Sequence, residues 1–589
     1  HSAQPAPAAG WGGSAARTAD SGKAVDVRAM AVAGTALTIT TADELSVTGK
    51  YTVTVKGFGT ADAVAGSVVR TDAFDDRYAY DGDDLGAAWT ADATTLKVWA
   101  PTATGVELVV YKSDRSADAD VDYTSPMTRG DKGVWSVTLD GRQSEFAYTY
   151  RLTFADGTTN DSADPYATAS VVNGQRSVVL PTSQTTVAGS TTRMASFGST
   201  TDASIAEMNI RDFSIAKNSG ISASKKGKYL GVVESGTTTT KGATSGLDYL
   251  KGLGVSHVQI MPMFDYGSTD EASDTSYDAK KSDGSYQQNW GYDPVNYNVP
   301  EGSYSSDATN PSTRIVEAKE MVQGLHKSNL RVIMDVVYNH VYDATSSSFN
   351  KTVPGYYFRY DSNGNLTNDS GCGNDTASER AMMRRYIVHS VTYWAKNYNI
   401  DGFRFDLMGL IDTQTMKEVR AALDKIDPSI IVLGEGWDMN TTMDKSEMST
   451  QPNAYELASQ SVSSVSASST GTTGLAGSTG LVKDNGVAFF NDSIRDAAKG
   501  SVFSDADTGF VSGKSVLEGL IANNVLGCQN ATGTASSALC TNGTTNVKYA
   551  DAGQAVKYVD AHHNMTLYDN RRACAPTDSD ATTEKRAEL

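Results

Sequence analysis

GFRFDLMG, residues 402–409, is the segment on which the fold reading turns. Read as a strand, its side chains alternate, so Arg404 and Asp406 share one face while Phe403 and Phe405 share the other. The phenyl rings can then pack outward against helices while the ionic pair points to the open end. An adjacent guanidinium keeps a carboxylate ionised and aimed, as an attacking carboxylate requires. Three further segments are built alike: DVVYNH at 335–340, LGEGWDM at 433–439 and YVDAHHNMTLYD at 558–569. Apolar strands that each deliver acid, His, Arg or Asn to one rim are the pattern of a parallel (β/α) barrel.

Glu435 lies at the end of IIVLGEGWD, 430–438, between two glycines and near Trp437. Desolvation beside aromatic surface disfavours a charged carboxylate, so Glu435 is expected to keep its proton longer and to serve as general acid/base. Asp335, inside the apolar run LRVIMDVVYNH at 330–340, is a buried charge that needs a partner, and Arg404 on the next strand is the obvious one. Two carboxyl groups roughly 5–5.5 Å apart, one attacking and one donating a proton, are what a retaining glycosidase needs. Taken singly, each segment has a plainer reading: an ordinary ion pair, an exposed Gly-Glu-Gly turn, or a satisfied structural histidine at His340. Four of them in one chain favour the chemistry.

This set resembles the four signature segments of the alpha-amylase superfamily of glycoside hydrolases, (β/α)₈ barrels that act on alpha-glucans. More narrowly, QNWGYDPVNYNVPEGSYSSD at 288–307 resembles the YNWGYDP segment of type I pullulanases, with Gln288 where that family has Tyr. EMNIRDFSIAKNSG at 207–220 and FFNDSIRDAAKGSVF at 489–503 match as well, and the resemblance spans most of residues 71–575. It implies Asp406 as nucleophile, Glu435 as acid/base, Arg404 orienting the nucleophile and Asp335 supporting that arginine, with Tyr292, His340, Trp437, His562 and Asn564 around the bound sugar. It also implies cleavage of alpha-1,6 branch linkages in pullulan, starch, glycogen and limit dextrins. The fourth segment departs from the family's His-Asp-Asn: this chain has His562, His563 and Asn564. The missing carboxylate would stabilise a transition state that gains positive charge, and an imidazolium opposes it, so His563 is expected to impair turnover. An alpha-glucan-binding protein with weak or no turnover, and an isoamylase-type debranching enzyme, are the alternatives.

The expected architecture is multidomain, with N-terminal β-sandwich domains followed by an incomplete (β/α)₈ TIM barrel. Residues 1–23 are Ala, Pro and Gly rich and expected to be disordered, 24–70 alternate as a small β-domain, and 71–190 resemble the β-sandwich starch-binding-like module that precedes such barrels. Residues 195–589 form the barrel, with seven candidate strands at 206–213, 256–264, 330–337, 401–408, 430–436, 486–492 and 555–562, so truncation before strand eight is expected. In the sandwich, Trp99 and Trp135 are expected to pack in the core. Ser and Thr dominate 459–480, expected to be a mobile loop on the barrel rim. A formal net charge of −19 argues against nucleic acid as partner, and no apolar run reaches the roughly 20 residues of a membrane span. The partner expected is an alpha-glucan polysaccharide, with no protein partner implied. No cofactor or metal is required, although acids in the loop 268–287 are candidate ligands for a structural Ca²⁺. Four cysteines without C-x-x-C spacing argue against zinc; Cys528 and Cys540 either close a loop as a disulfide or stay free. Composition suits a secreted or cell-surface protein, a cytoplasmic one being the alternative.

Overall fold

The computed structural model describes residues 16–18, 24–141, 143–273, 276–439, 442–458, 486–528 and 547–588. Its C-terminal part is a curled parallel sheet of seven strands, an incomplete (β/α)₈ barrel. The strands are Ile205–Met208 (β1), His257–Ile260 (β2), Arg331–Val336 (β3), Gly402–Phe405 (β4), Ile431–Gly434 (β5), Ala488–Phe490 (β6) and Ala555–Val556 (β7). They pair in chain order from β1 to β7, every pair parallel. Each falls inside or beside an expected segment, but the strands are shorter. The segment 206–213 stops being strand at Met208 because Asn209 accepts a hydrogen bond from the Asp212 amide and caps the helix Ile210–Ser214.

Alternation along these strands sorts the side chains. Ile333, Ile431, Leu433, Ala488 and Phe490 cluster on the inner face, with Ile205, Trp437, Val556 and Tyr558 packed against them. Phe403 and Phe405 lie on the other face, in the large core shared with Met416 and Trp394 of the surrounding helices. Those helices include Pro311–Lys327 (α1), Ala381–Asn397 (α2), Thr413–Asp424 (α3) and Asp492–Lys499 (α4). Burying the phenyl rings outward leaves the inner face of β4 to Arg404.

The N-terminal part is antiparallel. One sheet runs in the order Val121–Pro126, Ala103–Tyr111, Phe146–Phe154, Thr159–Ser162, and the facing sheet in the order Thr128–Arg129, Val134–Asp140, Ala93–Trp99, Gly86–Trp89. Trp99 and Trp135 are buried, and each indole N–H donates to a backbone carbonyl, of Tyr78 and Ala100 respectively. Before the sandwich, the hairpin Val27–Ala33/Ala36–Thr41 and a small sheet hold strands whose buried hydrophobic residues are Tyr51 alone among the described ones. That sheet corrects one expectation. Ala16–Thr18, within the segment expected to be disordered, pairs antiparallel with Ala24–Val25 and Tyr51–Val55, because an open sheet edge offers backbone partners that composition does not register. The Ser/Thr-rich stretch 459–480 and Cys540 lie outside the described residues.

Module and barrel are pinned together at Asn173. Its backbone N–H and side-chain amide donate to Glu271 Oε2 at 2.6 Å and Asp270 Oδ1 at 2.9 Å, and its Oδ1 accepts from the Glu271 amide at 2.8 Å. No helix among the described residues is long and apolar enough to cross a membrane.

Candidate active site

Arg404, on the inner face of β4 and 2% exposed, organises the rim. Its Nη1 contacts Asp335 Oδ1 at 3.0 Å and Asp406 Oδ1 at 3.1 Å, while Nη2 contacts Glu435 Oε1 at 2.7 Å. Neighbouring strands put those groups side by side: Asp335 on β3 is in register with Arg404, and Asp406 and Glu435 follow the ends of β4 and β5. Burial disfavours the arginine's charge, but the surrounding carboxylates outweigh it and raise its affinity for the proton further. Asp335 is fully buried, and desolvation raises its pKa well above the usual range despite Arg404.

Asp406 is held by two residues. Arg404 takes one carboxylate oxygen, and the Asn339 amide donates to the other at 2.9 Å and to the Asp406 carbonyl at 2.8 Å. Immediately after it, Leu407 adopts φ 41°, a left-handed conformation that is unfavourable for a side chain of this kind. The kink turns its N–H onto Glu435 Oε2 at 3.0 Å. One guanidinium thus contacts both carboxylates, and the backbone amide that follows Asp406 reaches Glu435.

Glu435 does not follow the sequence-based expectation of a raised pKa. Desolvation does push it up, but Arg404 and then His563 outweigh burial and bring it down to about 2. His563 Nε2 stands 3.0 Å from Glu435 Oε1, so the residue in the place of the family's carboxylate pairs with Glu435 itself. Trp437, expected to favour the neutral acid, packs instead against the inner cluster of Leu433 and Phe490.

Two other expected sugar contacts are also spoken for. His340 has Nδ1 on Asn339 Oδ1 and Nε2 on the Tyr292 carbonyl, both at 2.6 Å, so it braces the Tyr292 loop and presents no free ring nitrogen to a sugar. Asn564 sits at φ 60°, which Asn tolerates, and its amide donates to the Val502 carbonyl at 2.6 Å, away from Glu435. Tyr292 donates to Asp335 Oδ2 at 2.5 Å and stacks on His562, ring centroids 5.0 Å apart. Stacking of a sugar on that same face therefore requires His562 to move.

Three contributors escaped the sequence reading: Glu207, Asn339 and Trp290. Glu207 of β1 accepts from the backbone N–H of His562 at 2.7 Å and meets His562 Nδ1 at 2.9 Å, linking the first strand to the segment after the seventh. Its pKa is lowered, because His562 and Arg404 together outweigh desolvation. Trp290 meets His562 edge-on at 5.2 Å and is 39% exposed. All three stood inside quoted segments, and alternation on β1 marks Glu207 as inward-facing. Of the described acids in the loop 268–287, Glu271 is buried while Asp270, Asp278 and Asp283 are exposed. Glu271 joins Asp265 and Glu301 in a trio whose oxygens lie within 4.8 Å, and Arg314 grips Glu271 with both terminal nitrogens, at 2.8 and 2.7 Å.

Residues 84–167 match carbohydrate-binding module 48 (isoamylase N-terminal domain), and residues 196–368 match the alpha amylase catalytic domain. Fold, paired carboxylates and these matches place the chain in the alpha-amylase family. The crystal structure of a pullulanase from Anoxybacillus sp. LM18-11 complexed with maltotetraose superimposes with a TM-score of 0.80 at 37% identity, over 97% of this chain and 74% of that one. The chain belongs to the pullulanases. The pullulanase of Bacillus subtilis (strain 168) is 37% identical across 90% of this chain, and Pullulanase 1, chloroplastic, of Arabidopsis thaliana is 30% identical across 84%. The chain spans 65% and 55% of the length of those two relatives.

Proposed function

We propose that this chain hydrolyses alpha-1,6-glucosidic branch linkages in pullulan and branched alpha-glucans with retention, and that His563 holds its turnover low. The observation that carries the reading is the single guanidinium of Arg404 gripping both Asp406 and Glu435. In the first step an Asp406 oxygen bonds the anomeric carbon while the glycosidic C–O bond breaks and Glu435 gives its proton to the leaving oxygen. In the second, water attacks that carbon, the ester to Asp406 breaks, and Glu435 takes the water's proton. Support for alpha-glucans as substrates comes from the family, and from the maltotetraose bound in the Anoxybacillus relative.

The His563–Glu435 pair favours a second reading, a glucan-binding protein that turns over weakly. A Glu435 stabilised as an anion is a poor proton donor, and an imidazole where the family has a carboxylate supplies no anion to the positive charge that develops on the sugar. Pullulan incubation separates the two: maltotriose release supports the enzyme, whereas retention on a pullulan column without hydrolysis supports the binder. His563→Asp is expected to raise turnover by about 10²–10³. Equal rates for both chains contradict the impairment. The disulfide at Cys528 supports a secreted or cell-surface setting, since such bonds persist in oxidising compartments.

A further inference from the structure

Between the N-terminal module and the barrel rim lies a cavity of about 850 Å³ that the reaction described above does not use. One wall is the module turn carrying Gly174 and Gln175, and the other comes from two barrel loops, with Ser268, Gln287, Tyr342 and Lys351 among its lining residues. This volume is within the range of small-molecule sites, roughly 300–1,000 Å³.

Tyr342 is the feature that gives the cavity a chemistry. Its side chain is large, apolar over most of its area and 54% exposed. The ring lies flat on Gly267: a Cβ built there would fall 2.5, 2.6 and 2.7 Å from Cγ, Cδ1 and Cδ2 of Tyr342. Only glycine permits that approach, and it leaves the opposite ring face open. The backbone fixes the platform, since the Tyr342 N–H donates to the Pro294 carbonyl at 2.9 Å and the Gly267 N–H to the Asp293 carbonyl at 3.0 Å. A rigid aromatic face surrounded by hydroxyl, amide and ammonium groups suits a ligand with an apolar C–H face and a hydroxylated edge. A pyranose ring has both.

Both loops also serve the catalytic rim. Tyr342 follows His340 by two residues, and Pro294 follows Tyr292 by two. On the module side, Asn173 ties the turn that walls the cavity to Asp270 and Glu271.

We propose that this junction cavity is a second alpha-glucan site, in which a glucosyl residue of a maltooligosaccharide stacks on Tyr342 and the module turn supplies the opposite wall. The inference rests on the alpha-glucan reading given above. It assigns the module a direct share in holding branched polymer beside the catalytic rim.

Titration calorimetry of the full chain with maltotetraose tests it, backed by pullulan kinetics. Wild type is expected to bind at two sites and Tyr342→Ala at one, with KM for pullulan raised about tenfold and kcat unchanged, a size in keeping with one aromatic contact. Tyr342→Phe keeps the ring and is expected to keep both sites. Ser346→Trp fills the cavity with the platform intact and is expected to lose the second site; it carries the test if the alanine variant fails to fold. A single site in wild type, or two sites in Tyr342→Ala and Ser346→Trp alike, overturns the inference while leaving debranching in place. A wild-type chain that neither binds nor cleaves glucan overturns the parent reading instead.

Discussion

Arg404 touches Asp335, Asp406 and Glu435 at 3.0, 3.1 and 2.7 Å, and its terminal nitrogens share those three carboxyl groups. Inside a site this dry, Coulomb interactions outweigh the desolvation that sequence reasoning had put first for Glu435. The sign of the consequence is definite. Glu435 is lowered from 4.5 to about 2, so its ionised form stabilises the fold above about pH 4.5, and that contribution disappears as pH falls toward 2. In denaturant titrations, the stability advantage of wild type over Glu435→Gln is therefore expected to shrink steadily from pH 5 to pH 2.5; an advantage that stays constant contradicts the assignment. Alternation on one strand was enough to read Arg404 against Asp406, two positions apart. The bond between His562 and Glu207 was not legible, because 355 residues separate the two and only closure of the sheet brings them together. The capture of His340 Nε2 by the Tyr292 carbonyl, 48 residues away, was hidden too, whereas its other ring nitrogen bonds the adjacent Asn339.

At the scale of elements, β5 illustrates what a strand must give up to present a carboxylate. Gly434 precedes Glu435, and a Cβ there would meet the Phe405 carbonyl oxygen at 2.7 Å and Met408 Cβ at 2.8 Å. Neither neighbour can retreat easily, one being backbone of β4. Gly434→Ala is expected to cost about 1–3 kcal/mol by overpacking and to lower kcat by displacing Glu435. Thermal melting and kinetics check both; an unchanged melting point together with an unchanged kcat contradicts the close approach. All seven strands were legible because each is a short apolar run ending in polar residues. Their ends were not, since a cap such as Asn209 depends on where the chain turns rather than on hydropathy.

For the molecule as a whole, the coupling of module to barrel passes through a turn that composition could not reveal. Asn173 sits at φ 61° and exchanges hydrogen bonds with Asp270 and Glu271, 97 and 98 residues away. Asn173→Ala removes both side-chain bonds and puts alanine in a conformation it disfavours. Calorimetric melting is expected to split into separate module and barrel transitions, with activity on short branched oligosaccharides retained. One undivided transition matching wild type contradicts the clamp. The sandwich itself was readable from alternation, and so were its buried Trp99 and Trp135; how it docks was not.

Attack of Asp406 on the anomeric carbon can be reported by a mechanism-based glycosyl fluoride, which traps the ester for peptide mass spectrometry. The expected result is one glycosyl group per chain on the peptide carrying Asp406. A label on Glu435, or turnover that inverts the anomeric configuration with no label at all, contradicts it.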